Sequence, residues 1–232
     1  PEMKPTLTGE QLESLRRLGT CAVSNAIEQF DVRLRNEGFA DAKVRCMFPR
    51  LPAVAGYAVT AKIRCSGPPL EGHAILERTD WWDSISRMPA PRIFVIEDVD
   101  DRPGRGSLLG EVHAHILLGL QCAAAVTNGA VRDLPAVEAA GMQFFANHPA
   151  VSHSYAHIVE VGGPVCVGGL VVNPGDLLLG DIHGVLSVPL EIAADIPAMA
   201  SRLAARERKI ISACAAGNLS LGVLRNLVQE KI

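Results

Sequence analysis

The feature that most constrains the fold is an alternation of short apolar runs with helical patterns in the middle of the chain. Apolar runs at 92–97, 122–127 and 142–146 are separated by two helical patterns, one over 111–120 and one that ends at Ala140. Strands that alternate with helices in this way predict strand–helix–strand units with parallel pairing. We therefore predict an α/β fold with a parallel central sheet.

The flanking patterns add further elements to this sheet. Apolar residues alternate over 54–65, which predicts a half-buried strand. Short β runs broken by glycine pairs over 159–189 predict added antiparallel or mixed strands. A capping box at residues 8–11 predicts a first helix, which Gly19 interrupts, and an amphipathic helix is predicted over 191–216. No repeat, low-complexity tract or linker divides the chain, so a single domain is expected.

Composition excludes several classes of protein. Hydrophobic residues at 48% and charged residues at 20% exclude wholesale disorder. A net charge of −3 without a basic block predicts no nucleic-acid partner. No run approaches the about 18 apolar residues of a membrane span, and the amino terminus lacks an apolar signal core, so we expect a soluble, cytoplasmic protein. The six cysteines are widely spaced without a C-x-x-C pair, which favours reduced core residues over a disulfide framework.

Residues 106–133 carry the most chemical information. Glu111 opens a helix directly after a glycine-containing loop, and the free N–H groups at such a junction suit a carboxylate or phosphate. Arg132 and Asp133 follow a buried strand, where α/β sheets collect ligands. Arginine is a two-pronged donor for carboxylates, and aspartate is a hard oxygen ligand for Mg²⁺. Structural alternatives remain open: Glu111 can complement the helix dipole, and Asp133 can cap the next helix.

Four motifs, taken in order, carry a resemblance to a known family. They are TCAVSNAI at 20–27, Gly110-Glu111 followed after 20 residues by Arg132-Asp133, the turn TNGAVRD at 127–133, and PGDLLLGDIHGVLSVP at 174–189. Over about residues 10–217 the chain resembles the class II pyruvate aldolases that cleave 4-hydroxy-4-methyl-2-oxoglutarate, together with the related regulator of ribonuclease activity A. Asn25, Asn128 and His183 stand where the family usually has other residues.

The resemblance implies a fold and an assembly. The fold would be the swivelling β/β/α architecture of this family, as a single aldolase-like domain over 1–232. The C-terminal helix, from about residue 191, would lie at a subunit interface of a homotrimer or hexamer.

The resemblance also implies a role for each site residue. Asp133 would ligate Mg²⁺ or Mn²⁺ directly, Glu111 would hold the metal through water, and a neighbouring subunit would contribute a glutamate, for which Glu207 is the nearest candidate. Arg132 would contact the oxo-acid end of the substrate and act with Glu111 in catalysis. The backbone amides that would receive the substrate's carboxylate are those of Leu108, Leu109 and Gly110.

The activity implied by the resemblance is that of a divalent-metal-dependent carbon–carbon lyase. It would cleave 4-hydroxy-4-methyl-2-oxoglutarate-type substrates, decarboxylate oxaloacetate, or do both, because both reactions pass through the same metal-stabilised pyruvate enolate. The alternative is a non-catalytic regulatory binding protein of the ribonuclease-regulator type.

Arg78 and Arg87 are candidate partners for a second substrate carboxylate, and Trp81 and Trp82 either line an entrance or pack in the core. The seven histidines form no H-E-x-x-H pattern and are expected to be ordinary polar or loop residues.

Overall fold

The computed structural model describes residues 6–69, 79–217 and 219–230, which form six helices and twelve strands. The helices are α1 (Gly9–Ile27), α2 (Asp80–Arg87), α3 (Glu111–Gly119), α4 (Leu134–Ala140), α5 (Ile196–Ala215) and α6 (Leu221–Gln229). The first six strands are β1 (Arg45–Cys46), β2 (Val54–Arg64), β3 (Arg92–Asp98), β4 (Cys122–Thr127), β5 (Ala130–Val131) and β6 (Gln143–Ala146). The other six are β7 (His148–Pro149), β8 (His157–Val161), β9 (Val165–Val167), β10 (Leu170–Val172), β11 (Leu177–Asp181) and β12 (Gly184–Val188).

A mixed eight-stranded sheet organises this single α/β domain. Seven of its strands run in the order β1-β6-β4-β3-β2-β11-β12, and β8 also pairs with β2. The central pairs β2–β3, β3–β4 and β4–β6 are parallel, whereas β1, β8, β11 and β12 join antiparallel. The predicted parallel centre with added antiparallel strands is therefore confirmed.

The prediction that β2 is half-buried is wrong, because both of its faces are covered. Val59 and Ile63 pack in a cluster with helices α2 and α3, whereas Ala58 packs in another cluster with the hairpin β9–β10. The polar residue Thr60 is also fully buried, and its hydroxyl donates to the carbonyl of Gly163 at 2.6 Å. The alternation of side-chain types thus predicted which residues share a face of β2, but it did not predict how exposed each face is.

The helix ends show which local sequence signals predicted a helix boundary correctly. Thr8 forms the predicted capping box, and Gly19 has φ 76°, so α1 is interrupted where expected. The C-terminal helix begins at Ile196 and not near 191. The preceding residues form turns, of which Ile192 and Ala193 are buried in the cluster that also contains α1 residues. Their apolar pattern therefore reflects packing of a turn and not a longer helix.

The cysteines differ in part from the expectation. All six are free, but only Cys65 and Cys122 are buried, while Cys21, Cys166 and Cys214 are exposed. Burial raises the pKa of the Cys122 thiol to about 12. The core assignment is therefore wrong for the three exposed thiols, because their apolar sequence neighbours do not cover them.

No helix in the described ranges has the length and apolar character needed to cross a membrane.

Candidate active site

The site lies beyond the carboxyl ends of the parallel strands β3 and β4, where two chain segments meet. The loop before α3 and the segment after β5 are joined by a bridge between Leu109 and Val131. The Arg132 N–H donates to the carbonyl of Leu109 at 2.9 Å, and the Ser107 hydroxyl donates to the same carbonyl at 2.9 Å. These bonds bring the two halves of the spaced motif, 110–111 and 132–133, into one place.

Asp133 adopts a backbone conformation that is rare for a residue with a side chain. Its φ of 56° and ψ of 36° place it in the left-handed region, and it occupies the position before α4 without capping that helix through its side chain. Instead, its Oδ2 accepts a hydrogen bond from the backbone N–H of Glu111 at 3.1 Å. The interpretation of Asp133 as a capping residue is therefore wrong. Strain of this kind costs about 1–3 kcal/mol and is concentrated at functional sites.

Gly110 makes room for the Asp133 carboxylate. A Cβ added at position 110 would lie 2.5 Å from Asp133 Oδ2, which is closer than real Cβ contacts come. The next residue, Glu111, opens α3 with an exposed side chain. Across residues 6–69, 79–217 and 219–230, its carboxylate has no hydrogen-bond or ion-pair partner. Two carboxylates thus border the site, and one of them is wholly uncommitted.

The Arg132 guanidinium bridges two side chains. Its Nη2 lies 3.5 Å from Asp133 Oδ1, and its Nη1 lies 2.8 Å from Nδ1 of His153. Because a guanidinium only donates, Nδ1 of His153 must accept, and its proton must reside on Nε2. This contact holds the arginine fork in one orientation.

His153 is the site residue that sequence reasoning missed. Strand β7 pairs with β5, and Ala150 N–H donates to the carbonyl of Val131 at 2.8 Å, which carries the following loop toward Arg132. Ser107 N–H donates to the carbonyl of Ser152 at 3.1 Å and fixes the same loop. No spacing rule connects residues 132 and 153, so only their position in the fold could reveal the pair.

A second histidine, His113, lies near His153. His113, in the first turn of α3, has its ring centroid 5.9 Å from that of Trp81. Burial, followed by the nearby His153, lowers the pKa of His113. Trp81 itself is buried and stacks on Phe94 with centroids 5.2 Å apart, so the core interpretation of Trp81 is confirmed.

A buried cluster of Cys65, Asp98 and Asp100 shapes the loop that leads into the site. Their potential ligand atoms lie within 4.8 Å of one another. Both aspartates, however, are engaged: Asp98 accepts from the N–H groups of Asp100 and Gly104, and Asp100 accepts from Cys65 N–H and the Ser66 hydroxyl. The two aspartates therefore stabilise the turn of this loop through these hydrogen bonds.

The titration of this cluster follows its burial and its hydrogen bonds. Burial raises the pKa of Asp98 and, aided by Asp98, raises that of the Cys65 thiol to about 12. For Asp100, burial is outweighed by hydrogen bonds from Ser66 and Cys65, so its pKa is lowered. Because both aspartates of this buried cluster already accept hydrogen bonds, the exposed Glu111 and Asp133 are the more accessible carboxylates.

The other predicted site residues occupy three different parts of the fold. Leu108 is half-buried, Leu109 is buried, and both lie in the loop next to Gly110. Glu207 lies exposed on α5, a helix that packs against α1 and α6, whereas α3 and α4 pack on each other. Arg87 is exposed at the end of α2. The predicted role of Arg78 falls outside the described residues.

The donor set fits a hard divalent cation. Asp133 and Glu111 supply carboxylate oxygens, and the Gly110 backbone leaves the space in which the Asp133 carboxylate lies. Mg²⁺ is bound in proteins by one or two carboxylates and retains several waters. The exposed Glu111, whose backbone N–H contacts the Asp133 carboxylate, gives the site two carboxylate residues with open access, which matches that requirement.

The comparison with family models identifies the class of this protein. The model described as RraA-like, Aldolase/RraA, matches residues 20–187, which is more than half of the chain. The chain therefore belongs to the RraA-like family, as its motifs predicted.

Curated relatives match over shorter stretches. One is a protein of Halalkalibacterium halodurans provisionally named as a 4-hydroxy-4-methyl-2-oxoglutarate aldolase, 34% identical over 65 residues, which are 28% of this chain and 31% of that protein. Another is Protein DlpA of Legionella pneumophila, 23% identical over 58% of this chain and 22% of its own length. This chain thus spans about a third or less of either relative.

Solved structures share the fold at low identity. An uncharacterized protein from Pseudomonas syringae pv. tomato superposes with a TM-score of 0.74 at 21% identity, covering 97% of both chains. Streptomyces coelicolor RraAS2, described as an unusual member of the RNase ES inhibitor RraA family, has a TM-score of 0.67 at 20% identity, covering 90% of this chain and 98% of that one. These likenesses confirm the predicted fold class.

Proposed function

We propose that this protein is a divalent-metal-dependent carbon–carbon lyase that acts on pyruvate-derived 2-oxo acids. The observation that carries the proposal is the strained Asp133, whose carboxylate is turned from its helix toward Glu111 and the Arg132 fork. The family description includes aldolases, and one relative carries an aldolase name. A helix cap would satisfy the local backbone at lower cost, so the arrangement favours a ligand-binding role.

Different residues would hold the metal and the substrate. Asp133 would ligate Mg²⁺ or Mn²⁺ directly and Glu111 would hold it through water. When bound, the metal supplies Lewis-acid chemistry at the oxygens of the 2-oxo acid. The loop amides of Leu108, Leu109 and Gly110 receive the substrate carboxylate at the start of α3, where the helix dipole favours an anion.

Arg132 stabilises the charge that develops when the carbon–carbon bond breaks. Cleavage of an aldol or loss of CO₂ next to the keto group leaves an enolate, whose oxygen is more negative than the starting carbonyl. A guanidinium already oriented by His153 and Asp133 needs little reorganisation to donate to that oxygen. His153 acts here as a positioning residue.

Replacing His153 with alanine tests this positioning role. We expect kcat/KM to fall about tenfold, mainly through kcat, because a hydrogen bond to a charged group contributes about 1.5 kcal/mol. Asparagine at 153 should restore part of the activity, because its side-chain oxygen can occupy the place of Nδ1. His115→Ala, on the exposed face of α3, is the matched control. Equal activity in the native protein and the alanine variant would refute the role.

The function itself is tested with two substrates and two metals. Oxaloacetate and 4-hydroxy-4-methyl-2-oxoglutarate are supplied to the purified protein with Mg²⁺, with Mn²⁺ or with EDTA. We expect metal-dependent decarboxylation of oxaloacetate and weaker cleavage of the branched aldol, whose second carboxylate needs a cationic partner. Arg87→Ala should weaken only the aldol cleavage. Absence of decarboxylation with either metal in folded protein would contradict the enolate chemistry.

The assembly proposed with this function is a homotrimer or hexamer. Apolar side chains on α5 and α6 are open to solvent in the single chain, with Ile211 64%, Leu221 70% and Val228 51% exposed. We propose that this region docks on a neighbouring subunit and places Glu207 near that subunit's Asp133. Light scattering should give a mass that is a multiple of three chains. Glu207→Gln should lower the activity and leave that mass unchanged. A stable, active monomer would refute the arrangement.

The alternative function is that of a non-catalytic regulator acting through surface contacts. The observation in its favour is the shared fold with proteins described as RNA-processing or RNase inhibitors. Asp133→Asn separates the two functions, because the variant loses lyase activity and retains its outer surface. Regulation without any measurable lyase activity would favour this alternative.

A further inference from the structure

A side chain continues the pairing of β3 with β4 beyond the point where their backbones separate. The backbone register of these strands ends at Ile96 and Thr127. Beyond it, Oδ1 of Asn128 accepts from the Asp98 N–H at 2.7 Å, and Nδ2 of Asn128 donates to the Asp98 carbonyl at 3.0 Å. The side-chain amide of Asn128 thus takes the place of one more residue in the strand ladder.

The two bonds match a carboxamide and not an ionised carboxylate. A backbone N–H only donates and a backbone carbonyl oxygen only accepts, so their partner must offer an acceptor and a donor side by side. A carboxylate could accept from the Asp98 N–H, but it would turn a second acceptor toward the Asp98 carbonyl. Because Asp98 is buried, loss of the Asn128 amide leaves its backbone groups without a partner, which is costly.

The residue after Asn128 allows the two segments to approach closely. A Cβ added at Gly129 would lie 3.1 Å from the Cβ of Asp98 and 3.2 Å from its Oδ2, which is tighter than most real Cβ contacts. The Gly129 N–H donates to the Thr127 hydroxyl at 3.0 Å, and the Gly129 carbonyl accepts from the Asn147 N–H at 3.0 Å. The backbone next to Asn128 is therefore held in place while its side chain reaches Asp98.

The loop between β3 and α3 is attached to the segment after β4 at both of its ends. It starts at Asp98, which is bonded to Asn128, and it returns at Leu109, whose carbonyl accepts the Arg132 N–H. Within the loop, the Asp98 carboxylate accepts the Gly104 N–H at 2.7 Å. The path of the loop, and with it the direction of its backbone amides next to α3, depends on both attachments.

We propose that Asn128 is a positioning residue for the carboxylate of the substrate, because it anchors the loop whose amides receive that carboxylate. This role rests on the proposed function, which assigns the carboxylate to the amides of Leu108, Leu109 and Gly110. The carboxylate is bound in the ground state and in the transition state alike, so a loosened loop weakens both equally. The signature of the role is therefore a raised KM with a nearly unchanged kcat.

The kinetic test replaces Asn128 with alanine and with aspartate in the full chain. Asn128→Ala loses both bonds and should raise the KM for oxaloacetate about tenfold, with kcat within about twofold of the native value. Asn128→Asp keeps the shorter bond, so its KM should lie between those of the native protein and the alanine variant. An unchanged KM in Asn128→Ala, or a loss confined to kcat, would overturn the proposal.

The matched control is Asn173→Ala. Asn173 also follows a strand and donates from its side chain, to Asp176 at 3.4 Å, but it lies in the turn after β10. Both kinetic constants of the control should equal those of the native protein. A rise in KM as large as that of Asn128→Ala would show that the effect is not specific to the loop anchor.

Amide hydrogen exchange tests the anchor without enzymatic activity. Peptides that cover residues 99–109 should exchange at least about tenfold faster in Asn128→Ala, whereas peptides from β11 and β12 should keep their native rates. Unchanged exchange over 99–109, or faster exchange throughout the chain, would overturn the anchor. If the native protein lacks lyase activity, the proposed function fails and with it the role toward the substrate, but faster exchange confined to 99–109 would still establish the anchor.

Discussion

Asp133→Asn is expected to lower the kcat/KM of the proposed lyase by at least about 100-fold, because the neutral amide removes the charged oxygen ligand for a hard divalent cation. The substitution keeps the side-chain shape, and the amide oxygen can still accept the hydrogen bond from Glu111 N–H. The fold should therefore be preserved. Steady-state kinetics across a Mg²⁺ titration and calorimetric titration with Mn²⁺ measure the two parts of the effect.

The matched control for this experiment is Asp195→Asn. Asp195 also precedes a helix without capping it through its side chain, but it lies at the start of α5, away from the site. It should retain native activity and metal affinity. EDTA should reproduce the loss in the native protein, and added Mg²⁺ should reverse it. Full turnover in EDTA, or an active and metal-binding Asp133→Asn variant, would refute the proposed metal site.

Arg132→Lys is expected to lower kcat about 100-fold or more, even though it conserves the charge. The guanidinium contacts His153 through Nη1 and approaches Asp133 through Nη2, so two separate nitrogens set its orientation. A lysine ammonium is a single point charge on a flexible stem and cannot maintain both contacts. We expect a smaller change in KM, because the lost interaction is strongest with the enolate that forms during bond cleavage.

Arg50→Lys is the control for the arginine variant. Arg50 has an 89% exposed side chain that pairs with Glu138 at 3.7 Å, and such surface pairs contribute little. The activity and the thermal unfolding of the Arg50→Lys variant should match those of the native protein. If Arg132→Lys retains most of the native kcat, the charge alone suffices and the oriented fork has no catalytic role.

Both variants depend on an arrangement that the sheet creates. Parallel strands β3 and β4 end at the same edge, so the loop after β3 and the segment after β4 must lie side by side. The Leu109–Val131 bridge then fixes their relative register. Backbone hydrogen bonds thus hold the segment that carries Arg132 and Asp133, which gives the candidate site the rigidity that the proposed stabilisation of charge requires.

Local patterns in the sequence predicted the elements of this fold well. Strand β4 has the predicted bounds, the capping box at Thr8 forms, and Gly19 interrupts α1. These features arise from side-chain period, hydrogen bonds to neighbouring backbone groups and the conformational freedom of glycine, all of which act within a few residues. The four motifs that resemble a known family also predicted the family correctly.

The sequence by itself thus determined the α/β class and the order of the elements, since each depends on short-range physics. Only the tertiary structure decided what those residues contact. It turned Asp133 away from its helix toward Glu111 N–H and brought His153 to Arg132. These contacts join segments that are far apart in the chain, and they are set by strand pairing and core packing, which no local pattern encodes.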